Sequence, residues 1–356
     1  LSFALGFLTK YNIAFLGLAF AMGLLLSPYR VWFTRTKFWL AILAALFIIT
    51  PNLYWQYYYD FPVVTHMRIL KATQLTHVSP GLFIFEQFLF SMVAVCLWLP
   101  GLYFLIFIKK EYRIFATIYI VVIALFLYFQ GKGYYAMGIY PILVGAGGAF
   151  WSRMNPKKWL RWALPAFMVL MIWPIIPFGI PLLPPQQMIQ FGKWSAKYMG
   201  LEILRRWEDD QIYDLPQDYA DMFGWEELGG IITEAWEQAP DKARTLLYCE
   251  NYGQAGAAMR FATPEGVIEP ISFNGSFAIW APVETDAHTL IYVNDELGED
   301  IQEVFSDIKL VGTIENIYAR ERGTQVYLCQ KPRGAFQDLW GKRIKEVKAE
   351  LGIVIE

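Results

Sequence analysis

Two lysines with tyrosine neighbours, set in strongly apolar sequence, are the residues best suited to chemistry in this chain. Lys10 occurs in LTKYN, and Lys132 occurs in GKGYY, where Tyr134 and Tyr135 follow it. The glycines beside Lys132 would let the backbone approach a ligand closely, and the tyrosines can donate hydrogen bonds to that ligand. Because ionisable groups are costly to keep in or near a bilayer, these positions are candidates for function.

Further polar candidates occur in two neighbouring segments. Glu86 and Gln87 lie near the start of a long apolar run. The segment PNLYWQYYYDFPVVTHMRILK adds candidates that we expect on the same, outer face of a membrane: Trp55, Gln56, Asp60, His66 and Arg68.

Each candidate also has an ordinary structural explanation. Lys10 could extend its ammonium to the membrane interface, as many terminal lysines do. The run of Tyr and Trp could be an aromatic belt that anchors helices. His66 is more often a hydrogen-bonded structural histidine than a base.

The composition indicates a membrane protein joined to a globular domain. Hydrophobic residues make up 56% of the 356 residues and charged residues only 17%. Residues 1–183 hold 14 Lys and Arg against 3 Asp and Glu, whereas residues 184–356 hold 16 against 29. The basic half is apolar between its charges, which argues for membrane spans and against a nucleic-acid-binding surface. We therefore predict a transmembrane domain over 1–183 and a soluble α/β domain over 184–356.

The basic half predicts about six membrane-spanning helices. The apolar segments are Tyr11–Leu26, Phe38–Thr50, Gly81–Ile108, Ile114–Gln130, Tyr135–Trp151 and Trp162–Ile180. Positive charge is concentrated in every second loop, around Arg30–Lys37, Lys109–Arg113 and Arg153–Arg161. Under the positive-inside rule these loops are cytoplasmic. The 51–80 loop, the 131–133 turn and the acidic tail are then periplasmic or extracellular, on a plasma (inner) membrane.

Four motifs together resemble bacterial glycosyltransferase family 39. They are LTKYN, PNLYWQ, FxxEQF and GKGYYAMGIYPILVGAGG, and the tail adds CENYGQAGAAMRF and SFNGSFAIWAP. That family includes polyprenyl-phosphate-sugar transferases related to protein O-mannosyltransferases and to the lipid A aminoarabinose transferase. Its members have the many-helix GT-C membrane fold.

The resemblance implies transfer of a sugar from a polyprenyl phosphate to an acceptor hydroxyl on the outer face. It places the donor phosphate at Lys10 and Lys132, with Tyr134 and Tyr135 beside it. The acceptor would be a lipid, a glycan or a protein. No cofactor is assigned, and whether a divalent metal assists stays open. Family members carry their catalytic acid in the first outer loop, which we expect upstream of Leu1, so this chain alone should lack full activity.

The acidic tail predicts strands alternating with helices, as in a small Rossmann-like layer. The expected helices are Lys193–Trp207, Asp218–Gln238, Tyr252–Phe261, Asp300–Phe305 and Ala335–Leu351. The expected strands are Arg244–Cys249, Thr289–Val293, Lys309–Thr313 and Gln325–Cys329. The NYGQAG turn has too few glycines for a dinucleotide fingerprint and is interpreted as a packing turn.

Three cysteines occur, without the spacing of a zinc module. Cys249 and Cys329 each end a predicted strand on the oxidising side of the membrane, so a disulfide is one alternative. Two unpaired thiols are the other, and non-adjacent strands would require it.

Two functions are compatible with these features. The first is a membrane glycosyltransferase that uses a polyprenyl-phosphate-sugar donor. The second is a non-catalytic protein, either a carrier-lipid-binding subunit or half of a transporter with a periplasmic sensor domain.

Overall fold

A computed structural model describes residues 1–73, 79–154, 157–209, 211–262, 269–275, 277–334 and 336–351. The chain divides into two compact units, Leu1–Trp173 and Pro174–Glu356. We call the first the membrane unit, because it contains the candidate membrane spans, and the second the tail unit. Sequence composition placed a boundary at 183/184.

The membrane unit is helical. Its α-helices are α1 (Ser2–Thr9), α2 (Ile13–Leu25), α3 (Thr36–Tyr58), α4 (Pro62–Thr73), α5 (Pro80–Phe90), α6 (Val95–Tyr103), α7 (Arg113–Tyr128), α8 (Tyr140–Arg153) and α9 (Lys158–Ile172). Short 3-10 segments occupy Pro28–Thr34, Met92–Ala94, Lys110–Tyr112 and Gly133–Ile139, and a π-helical turn occupies Phe104–Ile108.

Among the described residues, two helical stretches are long and apolar enough to cross a membrane, Thr36–Tyr58 and Lys110–Tyr128. The number rises to 4 if each of two bent helix pairs is one span. The pairs are Ile13–Leu25 with Pro28–Thr34, bent by 107°, and Pro80–Phe90 with Met92–Ile108, bent by 67°. The predicted number of about six spans is therefore not confirmed.

The segment predicted as the 51–80 outer loop is largely helical in its described part. Helix α3 continues through Pro51 to Tyr58, and α4 follows after a three-residue turn with positive φ at Asp60 and Phe61. Proline removes one intrahelical hydrogen bond but does not end a helix that is supported on both sides. The helix thus extends beyond the predicted span Phe38–Thr50, because hydrophobicity marks where apolar sequence ends and not where a helix ends. The position of 51–80 on the outer side stays a prediction.

Helices α6 and α8 pack with close backbone contact. A Cβ added at Gly101 would overlap the backbone of Leu143, and one added at Gly147 would overlap the backbone of Leu97. Small residues that let backbones approach are typical of helix pairs in membranes. The core around this pair includes the buried side chains of Trp98, Tyr119, Tyr140 and Leu143.

The tail unit combines helices with one sheet. Its helices are α10 (Ile176–Gly179), α11 (Pro185–Met199), α12 (Gln217–Ala220), α13 (Trp225–Gln238), α14 (Tyr252–Phe261), α15 (Phe277–Trp280), α16 (Glu299–Val304) and α17 (Phe336–Glu350). Its strands are β1 (Thr245–Cys249), β2 (Thr289–Asn294), β3 (Phe305–Thr313) and β4 (Gln325–Pro332), and 3-10 turns occupy Leu201–Arg205 and Lys242–Arg244.

Glycines in the left-handed region lie at the end of one helix and at the start of another where the sequence predicted longer helices. Helix α11 stops at Gly200, with φ of 69°, and the expected helix Asp218–Gln238 is interrupted at Gly224, with φ of 90°. Glycine adopts this conformation without the steric cost of a Cβ. Helix α14 has the predicted bounds, and the predicted Ala335 lies outside the described residues.

The sheet has the strand order β1-β2-β4-β3. Strands β1 and β2 are parallel, whereas β4 runs antiparallel to both of its neighbours. The predicted Rossmann-like layer is thus corrected to a mixed sheet. Strands β3 and β4 pair antiparallel, as in a hairpin, where a Rossmann-like layer would have parallel strands joined by a crossover helix.

Both tail cysteines are free and buried. Strand β2 separates their strands, and Cys249 packs with α13 and α14 whereas Cys329 packs in the cluster that contains α17. Their side chains therefore lie on opposite faces of the sheet, which forbids a disulfide. Burial raises the pKa of both thiols, that of Cys329 to about 12.

Candidate functional site

Lys10, Tyr134 and Tyr135 are brought together in the membrane unit. Lys10 follows the last residue of α1, and its Nζ lies 5.0 Å from the ring centroid of Tyr134 and 4.9 Å from that of Tyr135. The two rings meet edge to face, with centroids 4.7 Å apart. These distances are typical of cation–π contacts. We call these three residues the lysine–tyrosine cluster.

The Lys10 ammonium contacts two aromatic rings in this cluster, but neither ring supplies an opposite charge. Its side chain is exposed, and among the described residues no carboxylate oxygen lies within ion-pair distance of Nζ. An aromatic face attracts an ammonium without supplying an opposite charge. The three N–H donors of the ammonium therefore keep their capacity for an anion.

The GKGYY turn is fixed to helix α5. The Gly133 N–H donates to Glu86 Oε2 at 3.0 Å, and a Cβ at Gly133 would overlap the Glu86 side chain. A Cβ at Gly131 would come within 2.8 Å of the Phe126 ring. Both glycines therefore have packing reasons within the protein, and their role in ligand approach stays a prediction. Lys132 is half-buried and immediately precedes the 3-10 segment that carries the tyrosines.

Gln87 positions this turn from inside the core. Its side chain is 2% exposed. Its Nε2 donates to the Gly133 carbonyl at 3.1 Å, and its Oε1 accepts from the Tyr140 hydroxyl at 3.1 Å. The Tyr119 hydroxyl lies 3.4 Å from that of Tyr140 and extends the network. The FxxEQF motif therefore supports the GKGYY turn from within the protein, and its part in a ligand site stays a prediction.

A second network joins LTKYN to PNLYWQ. The Tyr11 hydroxyl donates to Asn52 Oδ1 at 2.8 Å and accepts from Gln56 Nε2 at 2.9 Å. Gln56 is 5% exposed, and its Oε1 accepts from the Val63 N–H. This network fixes the end of α1, where Lys10 lies, against α3. Gln56 is therefore a positioning residue here.

The remaining candidates stay outside both networks. Trp55 is 37% exposed, and its ring lies 5.0 Å from that of Tyr59 at a tilt of 47°, while Asp60, His66 and Arg68 are exposed. Within the described part of the chain, no hydrogen bond or ion pair connects these four side chains to Lys10. Nor do three or more His, Cys, Asp or Glu side chains come together there as metal ligands would.

Sequence reasoning missed Tyr11, Asn52, Tyr119 and Tyr140 as members of these networks. Tyr11 and Asn52 are part of motifs already recognised, so a signal for them existed. Tyr140 immediately precedes the proline that ends GKGYYAMGIYP, but Tyr119 lies in an apolar helix with nothing in the sequence to distinguish it.

Comparison with known families gives one partial match. Residues 1–55 match the family described as dolichyl-phosphate-mannose-protein mannosyltransferase. No curated protein and no solved structure matches the chain. The match covers α1, α2 and most of α3, including Lys10 and Asn52, and ends before Glu86 and Lys132. It supports a membrane glycosyltransferase of the GT-C type and does not distinguish family 39.

Proposed function

We propose that this chain belongs to a membrane glycosyltransferase whose lysine–tyrosine cluster holds the phosphate of a polyprenyl-phosphate-sugar donor. The proposal rests on the position of the Lys10 ammonium, which lies over two tyrosine rings. Among the residues that the structure describes, no carboxylate forms an ion pair with it. The match over residues 1–55 supports the reaction class. The candidate spans support a lipid-linked substrate.

The chemistry expected of such a cluster is leaving-group stabilisation. When the glycosidic bond of a sugar phosphate breaks, the departing phosphate gains negative charge. A fixed ammonium interacts more strongly with that charge in the transition state than in the ground state, which lowers the barrier. The tyrosine hydroxyls would add hydrogen bonds to phosphate oxygens, and Lys132 would supply a second positive charge.

The site is proposed to face the outer side of a plasma (inner) membrane. This orientation rests on the positive-inside rule, because every second loop between the predicted spans is rich in Lys and Arg. It would put the acceptor, a lipid, glycan or protein hydroxyl, outside the cytoplasm. The base that takes the acceptor proton is not assigned to Asp60 or Glu86, since Asp60 has no described contact with the cluster and Glu86 accepts from Gly133.

Binding of undecaprenyl phosphate to the purified chain in nanodiscs tests the site without requiring turnover. Lys10→Met should weaken binding more than tenfold, because a charge-assisted contact contributes about 1.5–3 kcal/mol. Lys132→Met should act in the same direction. Lys71→Met is the matched control, since Lys71 is an exposed lysine on α4, and it should bind as the parent does.

Variants of Tyr135 distinguish the contribution of its aromatic ring to binding from that of its hydroxyl. Tyr135→Phe keeps the aromatic face under Lys10 and should lose only the hydroxyl contribution, whereas Tyr135→Leu should approach the loss seen for Lys10→Met. Equal binding by the parent, Lys10→Met and Lys132→Met would overturn the phosphate site, and so would equal damage from Lys71→Met.

A transfer assay in native membranes, on a protein that includes the upstream region expected to carry the catalytic acid, distinguishes the enzyme from the non-catalytic alternative. Release of undecaprenyl phosphate from a radiolabelled polyprenyl-phosphate sugar should fall on the order of 30-fold or more in Lys10→Met. Undecaprenyl phosphate binding that depends on Lys10, together with no Lys10-dependent sugar transfer, would instead favour a carrier-lipid-binding subunit.

A further inference from the structure

The tail unit contains a cavity between one face of its sheet and helices α16 and α17, and this cavity extends to the carboxyl ends of the two parallel strands. Its volume is about 470 Å³. Glu250 directly follows β1, Asn294 ends β2, and both line the cavity. In sheets with parallel strands, ligands bind in the crevice outside the carboxyl ends. The volume lies within the range usual for small-molecule sites.

Aromatic side chains form one wall of this cavity. Tyr248 and Tyr292 are register partners on β1 and β2, and their rings lie within 6° of parallel with centroids 5.7 Å apart. Phe273 packs edge-on against Tyr248 at 4.8 Å, and Trp340 of α17 lies 5.5 Å from Phe273. Such a wall can accept the C–H face of a ring without requiring that the ligand be charged.

Polar groups lie beside the aromatic wall. The Tyr248 hydroxyl donates to Glu250 Oε2 at 3.2 Å, and Asn294 Nδ2 donates to the Tyr292 hydroxyl at 2.8 Å. A carboxylate has about four acceptor positions, so Glu250 keeps capacity for ligand hydroxyls. Burial, followed by the nearby Glu250 carboxylate, raises the pKa of Tyr248 and keeps its phenol neutral. Asp300 and Arg343 add one acceptor and one donor at the exposed rim.

The same surroundings argue against a nucleotide. Helix α14 starts two residues after Glu250, but it packs against the other face of the sheet, and its capping box uses the Gln254 N–H to bind the Asn251 side chain. Phosphate binding at a helix start depends on free N–H groups. Carboxylates also outnumber basic groups in the lining, which comprises Glu250, Asp300 and Glu346 against Lys342 and Arg343.

We propose that this cavity binds a neutral pyranose sugar, with the aromatic wall against one ring face and Glu250, Asn294 and Asp300 bonding its hydroxyls. The site does not depend on the lysine–tyrosine cluster, and its residues lie wholly within the tail unit. The proposal is compatible with a transferase, in which the bound sugar would be part of the donor or of the acceptor. It is equally compatible with a non-catalytic membrane protein.

Saturation-transfer NMR on the whole chain in nanodiscs tests the site. The probes are the methyl glycosides of glucose, mannose, galactose and xylose, with AMP as the nucleotide comparison. The sample must be free of glucoside and maltoside detergents, since their headgroups would compete. At least one glycoside should give a saturable signal, and its binding should weaken about tenfold or more in Glu250→Gln and in Asp300→Asn, because hydrogen bonds to charged groups are the stronger class.

Glu303→Gln is the matched control. Glu303 is an exposed carboxylate on α16, the helix of Asp300, and does not line the cavity. It should leave the signal unchanged. The proposal fails if no glycoside binds, if Glu250→Gln and Asp300→Asn bind like the parent, or if AMP binds while the glycosides do not. Because Glu250 and Asp300 are exposed, their variants should fold as the parent does, which unchanged amide exchange in β1 and β2 would verify.

Discussion

Apolar side chains face opposite surroundings in the two units. In the middle of α3 in the membrane unit, Leu43 is 60% exposed and Phe47 81% exposed. In the tail sheet, Leu247 and Ile291 are fully buried. The first arrangement suits a helix surrounded by lipid, and the second suits a core formed against water. The same residue types therefore stabilise the tail by leaving water, whereas in α3 they match a solvent that is already apolar.

The largest expected loss of stability comes from shortening a buried side chain in the core of the tail unit. Ile291→Ala should lower the free energy of unfolding of the tail by about 2–5 kcal/mol, because it deletes buried methyl groups from β2, which has strands on both sides. Hydrogen exchange of β1, β2 and β4 peptides in increasing urea, with the whole chain in nanodiscs, measures this loss.

Phe47→Ala provides the contrast in the membrane unit. It removes a larger side chain, yet it should change exchange in α3 little, since Phe47 would contact lipid in any inserted state. A loss for Phe47→Ala as large as that for Ile291→Ala would mean that α3 packs against protein, and the contrast between the units would disappear.

A smaller effect is expected at the contact between α6 and α8, where the membrane unit relies on close backbone packing. Gly147→Val should destabilise the unit by roughly 1–3 kcal/mol, because the new side chain cannot fit against Leu97. Gly145→Val changes the same helix where a Cβ would meet nothing within 4 Å. Thermal melting in nanodiscs should separate the two variants. Identical melting would show that helix propensity, and not packing, sets the cost.

The smallest effect concerns the start of α14, the helix whose bounds match the sequence prediction. Asn251→Ala removes a cap and should cost about 1 kcal/mol, whereas Asn251→Ser should recover most of it. Amide exchange in α14 reports the change. If Asn251→Ser is as damaging as Asn251→Ala, the contact of Asn251 with Glu321 at 3.4 Å, and not the cap, would be the important one.

Local signals explain why the tail elements were largely predictable. Strand β1 is a short apolar run, Asn251 and Gln254 form a capping pattern three residues apart, and β2 and β4 begin where predicted. Each signal depends on contact with water, which makes turns polar and strands apolar. Strand pairing was not predictable in the same way, since β4 inserts between β2 and β3 and so creates a mixed sheet.

In the membrane unit, long apolar stretches give few local signals for where helices begin and end. Helix α2 contains no polar residue and α3 is apolar from Phe38 to Ile49, so periodicity does not show where these helices bend or end. The chain bends by 107° between α2 and Pro28–Thr34 and by 67° inside the predicted span Gly81–Ile108, and apolar length predicts neither bend. The count of about six spans rested on hydrophobicity alone, which specifies apolar length and not helix continuity.

The sequence alone determined that an apolar, basic half precedes an acidic α/β half, and that Lys10, Lys132, Tyr134 and Tyr135 are unusual in their surroundings. These properties depend on composition and local pattern, which the linear chain contains in full. Only the tertiary structure decided that Lys10 lies over both tyrosine rings, that Glu86 and Gln87 support the GKGYY turn, and that Cys249 and Cys329 lie on opposite faces of the sheet. Such contacts join residues tens of positions apart, and their geometry is set by the packing of whole helices and strands.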